Sequence, residues 1–349
     1  MLASDRVEVS EAIEAMFQEF YERGWTDGLP VIPPTEERVQ VFVDYLGRDA
    51  GEIVAEIPPE NGVATIEKVA INAVMAGCLP EYMPVILAAI DAVVEPDWGL
   101  WSIQVTTNSA SPFVIVNGPI RNELKINCGA NAMGQGWRAN ATIGRAVNLL
   151  LRNAGGATPG LVSKSTQGMP GRFTMCIGEN EEDSPWEPLH VERGFSPQQS
   201  TVTVLPAAST LQLYAGSRGA DRCLTIIAHS ITAMGTNNMI ARRAKPDAPV
   251  LIMCPAHAQM CADAGYSKQD VKRILWERGR LPIDWFPEDV AAEKYTLGLV
   301  FDGMVPLLGQ PDELVITVAG GPSGLHTTFV PSMGVGHPAI TKLINVPAR

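Results

Sequence analysis

The chain has 349 residues, enough for one large domain or two ordinary ones, with hydrophobic residues at 46%, charged residues at only 18%, and a formal net charge of -12. That acidic balance argues against DNA and RNA as partners, because phosphate binding needs many grouped cations. So small a charged fraction, below the usual quarter, predicts that surface is hidden in an oligomer.

The N-terminal run M-L-A-S-D-R-V-E-V-S-E is polar and acidic, unlike a signal peptide. The longest apolar run, Met83–Val94, is interrupted by Pro84 and Asp91 and is too short for a bilayer. These features predict no membrane partner and a cytoplasmic protein. There the six cysteines (Cys78, Cys128, Cys176, Cys223, Cys254, Cys261) are expected as free thiols.

Helical spacing of Val9, Ile13, Met16, Phe17 and Phe20 predicts an amphipathic helix over 8–23, closed by Gly24. The arm that follows, 24–39, is fixed in an extended path by Pro30, Pro33 and Pro34. It carries Trp25 and Asp27, candidate substrate-binding residues. Thr35 reads as an N-cap with half a capping box, because Arg38 holds the position a Glu would need. Residues 50–63 read as a connector. Two helices follow, Thr65–Met75 and Pro84 to about Val94, broken by A-G-C-L-P-E-Y-M-P and lined with alanines that allow close packing. Residues 101–107 and 113–117 read as strands.

The stretch Asn127–Arg152 is the most distinctive. Its first half is a loop of Gly129, Gly134 and Gly136 with Asn127, Asn131 and Asn140. Its second half has Ile143, Val147, Leu150 and Leu151 at helical spacing, with Gly155 and Gly156 as a stop. Such a loop can turn backbone amides toward an anion or a polarised carbonyl. Gly134-Gln-Gly136-Trp137-Arg138-Ala139 fits G-x-G-x-x-A formally. However, its strand ends too early, and no acid occurs between Glu123 and Glu179, so a dinucleotide fingerprint is set aside. Cys128, with Lys125 and Arg138 close in sequence, is the candidate nucleophile, although burial is the commoner fate for a cysteine. Cys78, at the helix break, is a weaker candidate.

Residues 153–172 form a long Gly/Pro/Ser/Thr loop, which is more often a lid or wall than filler. A short strand is expected over 173–177. The acidic segment 178–199 holds Glu179, Glu181, Glu182, Asp183, Glu187 and His190. Such runs are usually solvated, but Trp186 and Pro188 point to part of this one packing inward. It also divides the chain, with helices dominant before it and alternation after it. The alternation runs strand 201–205, helix 222–234, strand 249–253, helices 255–264 and 267–279, strand 313–318 and a last helix near 338–344. The expected fold class is α/β (mixed α+β). The expected units are 1–60 (N-terminal helices and Pro-rich arm), 61–178, an acidic connector 179–200, and an α/β layer 201–349.

In that layer Cys254-Pro-Ala-His257-Ala-Gln-Met-Cys261 puts His257 and Cys261 one helical turn apart, as metal ligands often are, but supplies no fourth ligand. No metal site is assigned, and His257 is kept as a candidate acid or base. Ser323 and His326, in A-G-G-P-S-G-L-H, are candidate pocket residues, and His337 lies on a second glycine loop.

Four blocks, 21–39 (Y-E-R-G-W-T-D-G-L-P-V-I-P-P-T-E-E-R-V), 70–85, 131–146 and 179–190, together resemble one group of bacterial proteins. In that group this region is fused to, or encoded beside, a small domain with a U-G-S-C motif, where U is selenocysteine or cysteine. No such motif occurs in this chain. The resemblance implies that the reactive chalcogen belongs to a UGSC-type partner and that this chain supplies much of the substrate pocket. The expected function is therefore an enzyme subunit acting on a small carbonyl- or anion-bearing molecule, by thiol-assisted lyase, hydrolase or reductive cleavage chemistry. Cys128, Arg138 and His257 would be catalytic. Asn127, Asn131, Gly134, Gly136, Trp137 and Asn140 would bind substrate, and no cofactor is assigned. The alternatives are a metal-dependent hydro-lyase using the acidic segment with His190 or His257, and a non-catalytic scaffold subunit.

Overall fold

The computed structural model describes residues 2–216, 219–241 and 245–347. In chain order its strands are β1 (Ile53–Ile57), β2 (Gly62–Thr65), β3 (Ser111–Asn117), β4 (Cys176–Gly178), β5 (Thr201–Ala207), β6 (Leu211–Tyr214), β7 (Val250–Met253), β8 (Arg280–Pro282), β9 (Met304–Pro306), β10 (Val315–Val318), β11 (His326–Val330) and β12 (Ile340–Leu343). Two four-stranded sheets organise the molecule, ordered β12-β5-β3-β4 and β10-β7-β11-β6. Each is mixed: β3 is parallel to β4 and antiparallel to β5, and β7 is parallel to β10 and antiparallel to β11. The fold is mixed α+β.

Strand periodicity explains how the sheets are stacked. Every residue of β3 is buried. Val114 and Val116 join Val202 and Val204 in a core shared with the helices Ile66–Ala76, Met83–Val93 and Arg138–Asn153. Phe113 and Ile115 point the other way, with Leu205 and Ala207, and meet Val250, Ile252, Val315 and Val330 of the second sheet. The second sheet's opposite face, with Leu251, Met253, Ile316 and Phe329, packs on residues of the helices Ala220–Ile231, Pro255–Asp263 and Lys268–Arg278. The layers therefore run helices, sheet, sheet, helices. Each large side chain buried between them contributes about 1.5–3 kcal/mol.

Several expectations are corrected. The connector at 50–63 contains the β1–β2 hairpin, and its Pro and Asn-Gly signals belong to the turn. The segment 101–107, expected as a strand, is the helix Leu100–Val105. Its buried residues, Leu100, Ile103 and Gln104, follow helical spacing, which the alternation of Trp101, Ile103 and Val105 conceals. The last helix, expected near 338–344, is β12, which pairs antiparallel with β5, with the Thr203 and Thr341 hydroxyls 2.9 Å apart. Long-range pairing wins there over local pattern. Two strands from beyond residue 200, β5 and β12, thus complete the sheet of β3 and β4. Among the described residues no helix is long and apolar enough to cross a membrane.

Candidate active site

The Gly/Asn loop is held mainly by its own asparagines. Asn140 accepts from the Asn127 N–H at 2.8 Å and donates to the carbonyls of Asn127 (2.9 Å) and Ala132 (3.1 Å). Asn127 accepts from the Gly129 N–H and donates to Ala130 O, both at 2.9 Å. Asn131, left-handed at φ 63°, donates to Gln135 O at 2.7 Å, and a side chain at Gly134 would run into its carboxamide. The N–H groups of Ala132 and Gly134 are also taken, by Gly129 O and Asn131 O. The three asparagines expected to polarise a substrate are thus engaged in shaping the loop.

Arg138 turns away as well. Its guanidinium donates to Gly77 O (2.9 Å) and Cys78 O (3.3 Å), closing the C-terminal end of the helix Ile66–Ala76, where a cation is favourable. Arg138, expected as a catalytic residue, thus has part of its guanidinium committed to a structural role. Gly136, at φ 108°, leads into the half-exposed Trp137.

What the loop presents is Cys128. It is half-buried, whereas the other five cysteines are buried. Its carbonyl accepts from the Gly320 N–H at 2.9 Å, just beyond β10, and the neighbouring Asn127 carbonyl accepts from Gly178 N–H at 3.1 Å, at the end of β4. A Cβ at Gly178 would sit 3.3 Å from that of Cys128, so the glycine permits a close approach. The thiol therefore rests where the ends of both sheets meet.

Beside it lies a residue that sequence analysis did not single out. Arg121 is almost fully buried, and its Nη1 stands 3.7 Å from Cys128 Sγ. The guanidinium also donates to Glu179 O (2.6 Å), to Gly118 O (3.2 Å) and to both oxygens of Glu182 (3.2 and 3.0 Å), and its Nε is 3.1 Å from Glu181 Oε1. The available signal was its place in G-P-I-R-N, directly after the strand, where ligands of α/β layers gather.

The acidic segment folds inward at this point. Glu179 is fully buried and accepts from Asn117 Nδ2 (2.5 Å) and the Leu189 N–H (2.7 Å). Glu181 accepts from the Gly118 N–H (2.7 Å) and Asn117 Nδ2 (2.9 Å). His190 is also fully buried. Its Nδ1 lies 3.9 Å from Glu181 Oε1, and neither ring nitrogen has a hydrogen-bond partner among the described residues.

Burial pushes the Cys128 thiol above its ordinary pKa, and the Arg121 charge opposes this only in part. The activated thiolate expected from nearby cations is therefore not what this environment favours. Hydrogen bonding to Arg121 takes Glu182 down to about 2, while burial raises Glu179. For Arg121, burial acts downward, but the Glu182 hydrogen bond and the Glu181 charge outweigh it. The arrangement sets a protonated thiol beside a fixed cation that is itself paired with Glu181 and Glu182.

The other candidates lie elsewhere. His257 is fully buried, with Nδ1 2.8 Å from Thr327 Oγ1 and Nε2 3.2 Å from Ala215 O, and burial lowers its pKa. It ties the helix Pro255–Asp263 to β11 and to Ala215, so the acid–base role expected for it falls on a ring with both nitrogens engaged and no exposed surface. Cys254 donates to Gly324 O at 3.0 Å, and Cys261 is fully buried with its thiol pushed up to about 12. Among the described residues no group of three His, Cys, Asp or Glu side chains is placed to hold a metal, so the Cys254–His257–Cys261 spacing forms no ligand set. Cys78 is buried, donates to Thr142 O and is likewise pushed up to about 12. Ser323 is exposed, and His326 opens β11 with its ring against Tyr214. His337 is buried and lies 3.0 Å from Trp98 O. Trp25 packs on Phe20, and Asp27 pairs with Arg145 through two 2.8 Å contacts. The structure thus gathers Cys128 with Arg121 and the inner glutamates, not with Arg138 or His257.

Compared with family models and with curated proteins, the chain gives no significant match to either.

Proposed function

We propose that this chain is a subunit of an enzyme acting on a small carbonyl- or anion-bearing molecule at the Cys128–Arg121 site, by thiol-assisted lyase, hydrolase or reductive cleavage chemistry. One observation carries the reading: the half-buried thiol of Cys128 stands 3.7 Å from a buried guanidinium. Arg121, whose charge Glu181 and Glu182 already answer, favours a carbonyl oxygen beside sulfur, or an anion only where it displaces the exposed Glu182, in surroundings poorer in water than the surface. A thiol held in the protonated form is a weak nucleophile. That favours a division of labour in which a UGSC-type partner supplies the attacking chalcogen and this chain the pocket. Trp137 and Met133, 43% and 41% exposed on the same loop, give such a partner an apolar rim to cover. A non-catalytic scaffold is the rival, and it assigns no purpose to a half-exposed thiol beside a fixed charge.

The test is co-expression with the UGSC-motif protein of the same organism. The expected result is a co-eluting complex in which Cys128 is shielded from alkylation and in which Cys128→Ser or Arg121→Gln abolishes turnover. A chain that elutes alone, with Cys128 equally reactive in both preparations, overturns the proposal.

A further inference from the structure

The loop 153–172, expected as a lid or wall, closes one side of a cavity of about 180 Å³. The cavity lies at the start of β3, where Ser111 lines it. Asn117, at the other end of that strand, belongs to the Cys128 site, and the six-residue rise between them is about 20 Å. This is a second place on the molecule, independent of the chemistry proposed above.

Two guanidinium groups line it, Arg152 from the long helix and Arg172 from the end of the loop. Arg172 gives three of its N–H groups to neutral oxygens: Ser109 O (3.3 Å), Ser163 Oγ (2.7 Å) and Ala110 O (3.2 Å). A guanidinium has five N–H donors, so two are left over. The Nε of Arg152 is buried and has no hydrogen-bond partner among the described residues. Burial lowers the pKa of both arginines. For Arg172 it is the only cause, and for Arg152 the charge of Asp27 opposes it. Asp27 is the carboxylate on the wall, and both its oxygens are held by Arg145. Glu60, which lies against Gly156, does not line the cavity. On the wall itself two cations (Arg152, Arg172) stand against one anion (Asp27), and that anion is already paired with Arg145 from outside the wall. A partly desolvated guanidinium with N–H groups lacking acceptors is unfavourable, and an anion relieves it.

We infer that this cavity binds a small dianion, a short dicarboxylate or a phosphate monoester, with its charges answered by Arg152 and Arg172. Asn148 and Ser111 add neutral polar groups to the wall.

Calorimetry and thermal unfolding of the full chain with succinate and with inorganic phosphate test this, with neutral succinamide as the control. The expected result is saturable binding and a raised Tm with at least one dianion, weakening as salt rises, and none with succinamide. Succinate binding without phosphate binding assigns a dicarboxylate, and the reverse assigns a phosphorylated ligand. Arg152→Met should raise the ligand-free Tm, because it removes an unsatisfied buried group, and should weaken dianion binding at least about tenfold. Arg172→Lys keeps the charge and loses the fork, so it should weaken binding while leaving the fold intact. No saturable binding of either dianion at millimolar concentration, or unchanged binding in both variants, overturns the inference.

Discussion

Arg121 pairs with both oxygens of Glu182 while its Nη1 stands 3.7 Å from Cys128 Sγ, so one buried cation serves a carboxylate and a thiol at once. Cys128 should therefore be alkylated ahead of the other cysteines, with a rate that climbs with pH and reaches its midpoint above the ordinary thiol value, because burial disfavours the thiolate. Arg121→Gln removes the opposing charge and should slow labelling at fixed pH by on the order of threefold to tenfold. Mass-spectrometric labelling across a pH series reads this, and equal rates in both proteins would sink the idea that the guanidinium tunes the thiol.

The same variant should be costly to the fold. Removing one partner from a buried charge network costs about 3–5 kcal/mol, because Glu181 loses its cation while partly enclosed. Urea unfolding of Arg121→Gln against the parent measures it. A loss below about 1 kcal/mol would mean that the network behaves like a surface ion pair.

Glu182 governs part of the acid response. Its folded-state pKa of about 2 lies below the ordinary 4.5, so its contribution to stability is present above pH 4.5 and lost as pH falls toward 2. The side chain is 56% exposed, so solvent screening keeps that contribution small. Glu182→Gln should flatten the stability profile between those two values, and a profile of unchanged steepness would contradict the assignment.

His257 acts at milder pH. Burial holds its folded pKa below 6.5, so protonation favours the unfolded chain, and stability should decline as pH drops below about 6.5. His257→Gln should remove that decline. His257→Ala should cost about 2–4 kcal/mol at neutral pH, through the cavity and the partners stranded at Thr327 and Ala215. Thermal melts across pH would separate the two effects.

Asn140 is expected to matter for shape. It makes three hydrogen bonds inside the Gly/Asn loop, and Asn140→Ala should destabilise the protein by about 2–4 kcal/mol. Limited proteolysis should then cut within 127–137 in the variant and spare the parent. Resistance in both would show that the loop holds without it.

What could be read from sequence follows from which interactions are local. The helix Arg138–Asn153 and the alternation through the helix Lys268–Arg278 were visible, because caps, stops and apolar spacing lie within a few residues. The loop was visible too, but its asparagines face one another, and composition cannot separate side chains that build a turn from side chains that offer it to a ligand. Arg121 carried no local mark. Its importance comes from Glu181 and Glu182, some sixty residues away. β12 and the helix Leu100–Val105 were misassigned for related reasons, the first because its partner β5 is remote, the second because six residues fit either period.

The place of β12 also bears on how the molecule is made. The rim of the first sheet beside β5 is sealed by residues 340–343, close to the end of the described chain. While the polypeptide emerges from the ribosome, β5 is made more than a hundred residues before β12, so that rim stays open until residues 340–343 follow, and this sheet cannot close strand by strand as it is synthesised.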